Sequence, residues 1–318
     1  MLSLRMIVAC VLATLAVSAP LSAIVPVTIT DPVTIPANAL GRALLVRVTA
    51  PSAIRGRLPV ILFSHGAMLS RSTYEPLASW WAQQGFIVLQ PDHEDAPVDG
   101  FAPSVLPSSE LWRTRITDLR RVADDLVMIE AQIPALRGHL DRTRLLAAGH
   151  SFGGHTVAAL IGMRVWNGTT FEDFSDPRIK GAVVLSPPGS GGDDLNPAFR
   201  TRAGFLTVEL KELRGPALMI VGSSDDSKVM TMRGADWHAA IYRKSKSTKM
   251  CLITMTGARH YLGGIVDPKR VGVEDADPAR LELVRQASLA LFADALAGRA
   301  PTADMGRNIR GQAVEECR

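Results

Sequence analysis

Cysteine is scarce, with three in 318 residues, and a core can be buried at this length without disulfide staples. Charge of one sign is not in excess either. Lys and Arg number 35 against 31 Asp and Glu, a formal net charge of +4. Long Lys/Arg tracts and nucleic-acid motifs are missing, so no DNA or RNA partner is expected. The densest basic stretch, Arg243, Lys244, Lys246 and Lys249, reads as the solvated end of a surface helix. No internal repeat, low-complexity tract or Gly/Ser linker divides the chain. What remains, 47% hydrophobic and 21% charged residues, is the composition of an ordinary globular protein.

Also missing is a hydrophobic run long enough to cross a bilayer comfortably. The apolar stretch Met6 to Val17 is broken only by Thr14, follows Arg5, and leads into Ser18, Ala19, Pro20, Leu21, Ser22 and Ala23. A positive start, a short apolar run and small residues at its end predict a signal peptide over residues 1–23, cleaved after Ala23. An uncleaved anchor is the alternative. Ile7-Val8-Ala9-Cys10 loosely resembles a lipoprotein cleavage box, but the run before Cys10 is too short for one. Residues 24–318 then form one domain, secreted or periplasmic, with no stable membrane span. Removing the signal leaves Cys251 and Cys317, which in an exported protein can pair or stay as two thiols.

Along the mature chain strands alternate with helices. Val27 to Ile35 and Ala43 to Ala50 alternate apolar and polar residues, as edge strands do. Pro59 to Phe63 is continuously apolar, as in a strand buried on both faces. Further strands are expected at Phe86 to Gln90, Arg144 to Ala148, Ile179 to Leu185, Pro216 to Val221 and Lys249 to Met255. Helices are expected at Ser72 to Gln84, Phe152 to Met163 and Ala235 to Lys244. After a Pro/Ser-rich loop, Pro103 to Ser109, one amphipathic helix is expected from Ser109 to Ile133. Trp112, Ile116, Leu119, Leu126 and Ile129 lie on its apolar face, and Arg113, Arg115, Arg120 and Arg121 on the wet side. Asp277-Pro278 reads as the N-cap and first residue of a last helix ended by Gly298. This alternation predicts an α/β fold, a mostly parallel central sheet with helices on both faces. Only about thirty residues separate Leu185 from Pro216, which leaves no room for a large cap domain.

Gly149-His150-Ser151-Phe152-Gly153 has the G-x-S-x-G pattern, directly after an apolar strand and directly before an apolar helix. That is the setting of a nucleophile elbow in the α/β-hydrolase fold, where the flanking positions must be small. Ser151 then stands at a strand end with a helix N-terminus behind it, which favours developing negative charge. A serine hydroxyl needs a base. In this fold the chain order is Ser, acid, His. His150 and His155 adjoin the elbow but are expected to aim elsewhere; His65 and His93 lie upstream. His238 falls within a helix pattern. His260, in a loop past the strand Lys249 to Met255, is the expected base. Gly222-Ser223-Ser224-Asp225-Asp226 follows the preceding strand, and its carboxylate would hold the imidazole's tautomer. Asp225 is preferred and Asp226 is the alternative. Two N–H donors would form the oxyanion hole, those of Phe152 and of Ala67 in Ser64-His65-Gly66-Ala67.

Phe63-Ser64-His65-Gly66-Ala67, Tyr74, Gln84-Gly85-Phe86-Ile87-Val88, Asp92-His93-Glu94-Asp95 and Gly149-His150-Ser151-Phe152-Gly153-Gly154 resemble the platelet-activating-factor acetylhydrolase family. They also resemble the dienelactone-hydrolase-like esterases and polyester hydrolases beside it. The likeness spans roughly residues 40 to 265. It implies Ser151 as nucleophile, His260 as base, and Ala67 and Phe152 as oxyanion donors. The chain departs at the acid. The acetylhydrolases carry it just after the strand matching Ile179 to Leu185, where Ser186 stands here. Polyester hydrolases carry it one strand later, which matches Asp225. Dienelactone hydrolases proper use a cysteine nucleophile, and this chain has serine. Similar polyester hydrolases also carry a disulfide near the C-terminus, which favours the Cys251–Cys317 bridge.

These readings converge on a serine carboxylic ester hydrolase that works through an acyl-enzyme. It needs no metal or organic cofactor and has a small or polymeric ester as its partner. An acyltransferase on the same triad is the nearest alternative. A catalytically inactive binding protein is the more distant one. Trp112 or Trp237 could line an open site, but a core or surface aromatic is the preferred reading of each.

Overall fold

The structure, a computed structural model, describes residues 25–39, 41–97, 110–210, 213–271, 275–302 and 311–318. The expected signal peptide and the Pro/Ser-rich loop before Glu110 lie outside the described residues. Among the described residues a nine-stranded sheet carries the fold. Its strands are β1 (Val27–Ile35), β2 (Leu44–Pro51), β3 (Leu58–Ser64), β4 (Ile87–Pro91), β5 (Leu140–His150), β8 (Ile179–Leu185), β10 (Ala217–Gly222), β11 (Met250–Met255) and β12 (Ala313–Cys317). Three short strands, β6 (Arg164–Trp166), β7 (Phe171–Glu172) and β9 (Val208–Glu209), form a separate small sheet. The helices are α1 (Glu75–Gln83), α2 (Leu111–Asp124), α3 (Leu126–Gln132), α4 (Phe152–Leu160), α5 (Pro197–Arg200), α6 (Ala240–Lys244), α7 (Pro268–Val271) and α8 (Pro278–Leu296).

The order across the large sheet is β1-β2-β4-β3-β5-β8-β10-β11-β12. From β4 through β3, β5, β8 and β10 to β11 every pairing is parallel, while β1, β2 and β12 pair antiparallel at the edges. Parallel strands bury both faces, so they read as continuous apolar runs rather than alternations. In β3, Val60 and Leu62 enter the core on one side with Ile116, Leu119 and Val157 of α2 and α4. Ile61 and Phe63 enter the core on the other, with Trp81 of α1 and Phe292 of α8. This is the α/β-hydrolase fold. Residues 186–210 and 213–216 hold only short turns, α5 and β9, and no cap domain stands over the strand ends among the described residues.

Most expected elements are present to within a few residues, and the structure corrects two features of the long expected helix. It is interrupted at Asp125, where α2 gives way to α3. Two of its arginines are not on a wet side: Arg115 is fully buried and Arg121 nearly so. Arg121 donates to the carbonyls of Arg42 and Pro36 at 2.6 and 2.9 Å. Burying a guanidinium is costly unless its donors are engaged; both Nη groups of Arg121 are, and its Nε is not. Periodicity cannot see such partners, because they come from distant segments. Trp112 and Trp237 are buried core aromatics, as preferred for them.

The last helix starts as its residues predict. The Asp277 side chain accepts from the N–H groups of Ala279 and Arg280, with Pro278 in the first turn. At the far edge β12 pairs with β11 in a register that sets Cys251 opposite Cys317, and the two form a disulfide. No helix among the described residues is long and apolar enough to cross a membrane.

Candidate active site

Because β3, β5, β10 and β11 run parallel, their carboxyl ends line one edge of the sheet. The loops there carry Ala67, Ser151, Asp225 and His260 respectively. Such edges are where ligands bind in open α/β sheets.

Ser151 sits between β5 and α4 with φ 54° and ψ −122°. A non-glycine residue with positive φ costs on the order of 1–3 kcal/mol and persists only where its surroundings hold it. Here its N–H donates to the Leu185 carbonyl of neighbouring β8 at 2.8 Å. The small flanking residues are a matter of clearance. A Cβ on Gly149 would lie 2.3 Å from the Gly153 carbonyl oxygen, and one on Gly153 would lie 2.0 Å from that of Ser64. The elbow therefore packs directly onto its own helix and onto the end of β3.

Asp225 and His260 meet. His260 Nδ1 lies 2.9 and 3.0 Å from the two Asp225 carboxylate oxygens. With Nδ1–H donating to Asp225, the other ring nitrogen keeps its lone pair. Burial would raise the Asp225 carboxyl, but the imidazoles of His238 and His260 against it outweigh that and hold it far below the usual carboxylate range. The alternative acid, Asp226, is half-exposed and pairs with Lys228 at 3.6 Å.

His238 is the residue sequence reasoning passed over. Its Nδ1 donates to the Pro187 carbonyl at 2.7 Å, and its Nε2 lies 2.9 Å from Ser227 Oγ and 3.3 Å from Asp225 Oδ1. A histidine in the turn before α6 gives no local sign that it will reach the acid loop. Asp225, His238 and His260 each offer a ligand atom within 4.8 Å of the others, as a metal site would require. Those atoms are engaged in the hydrogen bonds just described.

His150 also does more than its sequence position suggested. Its Nε2–H donates to the backbone carbonyl of His260 at 2.9 Å. That fixes Nδ1 as an acceptor, which takes the Tyr74 hydroxyl proton at 2.7 Å. The Tyr74 oxygen in turn accepts the Gly66 N–H at 2.9 Å. One chain of bonds thus joins the His260 loop, the elbow and the Gly66 turn. Burial pushes the His150 imidazole well below its ordinary value, so the ring stays neutral and its tautomer stays assigned. His155 is buried on α4 between the rings of Phe152 and Phe205, at centroid distances of 6.0 and 5.5 Å.

Ala67 is exposed beside this edge, and Phe152 is the first residue of α4. Neither backbone N–H has an intramolecular partner among the described residues. A second Ser–His–Asp set exists: Ser64 Oγ is 2.8 Å from His93 Nε2, and His93 Nδ1 is 3.0 Å from Asp118. Ser64 is wholly buried beneath the loop, so its oxygen has no access to a substrate.

Comparison with known proteins agrees with this architecture. Residues 27–172 match the chlorophyllase family model, a stretch that contains Ala67, Ser151 and Phe152 but ends before Asp225 and His260. A platelet-activating factor acetylhydrolase of Cavia porcellus is 27% identical in a match covering 41% of this chain and 35% of that protein. The chain thus spans about a third of the length of that curated relative. Among solved structures, a putative dienelactone hydrolase from Klebsiella pneumoniae subsp. pneumoniae MGH 78578 superposes with a TM-score of 0.52 at 18% identity. That superposition covers 84% of this chain and 99% of that one.

Proposed function

We propose that this chain is a serine carboxylic ester hydrolase, exported by its N-terminal segment, in which residues 24–318 form one catalytic domain. One observation carries the reading. An ionised, buried Asp225 holds the Nδ1 of His260, and His150, the residue before the elbow serine, holds the backbone of that same His260. The likeness to an acetylhydrolase and to a chlorophyllase family model supports an ester as the bond attacked.

In this reading the Ser151 hydroxyl oxygen attacks the ester carbonyl carbon while its proton passes to His260 Nε2. Asp225 stabilises the imidazolium without taking the proton. The N–H groups of Ala67 and Phe152 bind the oxyanion, helped by the N-terminus of α4. The tetrahedral adduct collapses, and the leaving alkoxide takes the proton from His260. Water then repeats the sequence on the acyl-enzyme and frees Ser151. With no cap domain among the described residues the site is open, which suits small or extended esters. The Cys251–Cys317 disulfide fits an oxidising compartment, secreted or periplasmic.

The test is hydrolysis of p-nitrophenyl esters from acetate to palmitate by protein starting at Ile24, beside Ser151→Ala. Turnover that vanishes in the variant, with fluorophosphonate labelling of the wild type alone, is the expected result. Equal turnover in both proteins would overturn Ser151 as nucleophile. Product analysis with added alcohol separates hydrolysis from acyl transfer.

A further inference from the structure

We propose that Arg115 is a positioning residue for the oxyanion hole: it aims and polarises the Ala67 N–H and braces the Phe152 side of the same hole. This rests on the esterase reading above.

Arg115 stands on α2 with no exposed surface. A guanidinium buried this way must be paired, and Asp95 pairs with it through two bonds, Nε to Oδ1 at 3.0 Å and an Nη2–H to Oδ2 at 3.1 Å. The remaining donors go to the turn that carries Ala67. Nη1–H donates to the His65 carbonyl at 2.8 Å, and Nη2–H to the Gly66 carbonyl at 3.1 Å. The second bond matters most. Gly66 C=O and Ala67 N–H belong to one peptide unit. In a planar trans peptide they point in opposite directions. Tying the oxygen to the guanidinium therefore turns the N–H away from it, and that N–H has no partner among the described residues.

The rest of the turn is tied to match. His65 Nε2 accepts the His93 N–H at 3.0 Å, so Nδ1 carries the ring proton and donates to the Gly66 carbonyl at 2.7 Å. The N–H groups on either side of Ala67 are both taken, Gly66 by Tyr74 and Met68 by Asp95 Oδ2 at 2.9 Å. Met68 has φ 59°, a strained geometry that the Asp95 bond helps hold. Strong donors on a peptide oxygen polarise its unit and make the attached N–H a better donor.

The same guanidinium lies over the Phe152 ring, 4.7 Å from Cζ to centroid, within cation–π range. One side chain thus contacts both residues whose N–H groups would meet the oxyanion.

The experiment compares wild type, Arg115→Gln and Arg115→Lys on a p-nitrophenyl ester and on its thionoester analogue. Sulfur accepts hydrogen bonds poorly, so the oxo-over-thiono preference in kcat/KM reads the oxyanion donors rather than folding. Expected is a fall in kcat on the oxoester of about 10–100-fold with KM nearly unchanged, and a collapse of the oxo-over-thiono ratio. Arg115→Lys keeps the charge for Asp95 but not the fork, and serves if the Gln variant does not fold. An unchanged ratio in a folded variant, or a kcat loss that merely tracks the folded fraction, would overturn the proposal. A wild type with no esterase turnover would overturn the esterase reading itself, a distinct outcome from active wild type with indifferent Arg115 variants.

Discussion

Asp225→Asn tests the candidate triad most sharply, because the structure dictates how the new amide would sit. Asp225 lies between two imidazoles, with His260 Nδ1 at 2.9 Å and His238 Nε2 at 3.3 Å. An asparagine can turn either its oxygen or its NH2 toward His260. The NH2 would force the proton onto Nε2 and remove the base, the situation that costs about 10⁴ in kcat in serine proteases. His238 opposes that orientation. Its Nδ1–H is committed to the Pro187 carbonyl, so in that tautomer Nε2, which faces position 225, is an acceptor and attracts the amide NH2. The oxygen then faces His260 and preserves the productive tautomer. What is lost is the carboxylate charge beside the imidazolium. Two unit charges about 4 Å apart near a protein surface interact by about 4 kcal/mol, which corresponds to roughly 10³ in kcat. Steady-state hydrolysis of a p-nitrophenyl ester should therefore show a loss of about 10³ for Asp225→Asn. Adding His238→Phe removes the guide and should carry the loss toward about 10⁴. Asp226→Asn, at a half-exposed carboxylate, should stay within about threefold of wild type. An Asp225→Asn enzyme within tenfold of wild type, or an equally disabled Asp226→Asn, would refute this reasoning.

Gly153→Ala places a methyl group 2.0 Å from the Ser64 carbonyl oxygen. A backbone neighbour cannot yield, so a loss of about 3 kcal/mol in urea unfolding is expected together with lost turnover; a wild-type midpoint would contradict it. Cys317→Ser opens a 66-residue separation, for which chain entropy predicts about 4 kcal/mol of lost stability. Guanidinium unfolding with and without reductant measures it, and reductant should leave the variant unmoved. For Asp95, burial raises the carboxyl but Arg115 outweighs it, bringing it from 3.8 down to about 2. A depressed carboxyl stabilises the fold above its unfolded value, so this contribution, about 2 kcal/mol, is lost as pH falls from about 4 to about 2. The stability gap between wild type and Asp95→Asn should narrow over that window; a constant gap would show that the pair does not titrate this way.

The amino-acid sequence by itself determined the strand–helix alternation, because burial on both faces of a parallel sheet demands continuous apolar runs such as Val60 to Phe63. It determined the elbow as well, since the clearances at Gly149 and Gly153 admit only hydrogen. Asp225 and His260 were legible as loop residues just past strand ends, where chain order alone narrows the choice. Other features depended on long-range contact. Asp225 separates from Asp226 only because one side chain turns inward to two histidines and the other outward to Lys228. Tertiary structure also decided that Arg115 and Arg121 are buried, since the carboxylate and carbonyls they bond come from segments far along the chain. For the same reason the roles of His238 and His150 emerged only in the fold. A ring nitrogen's function depends on which partner stands opposite it, and local periodicity carries no record of that partner.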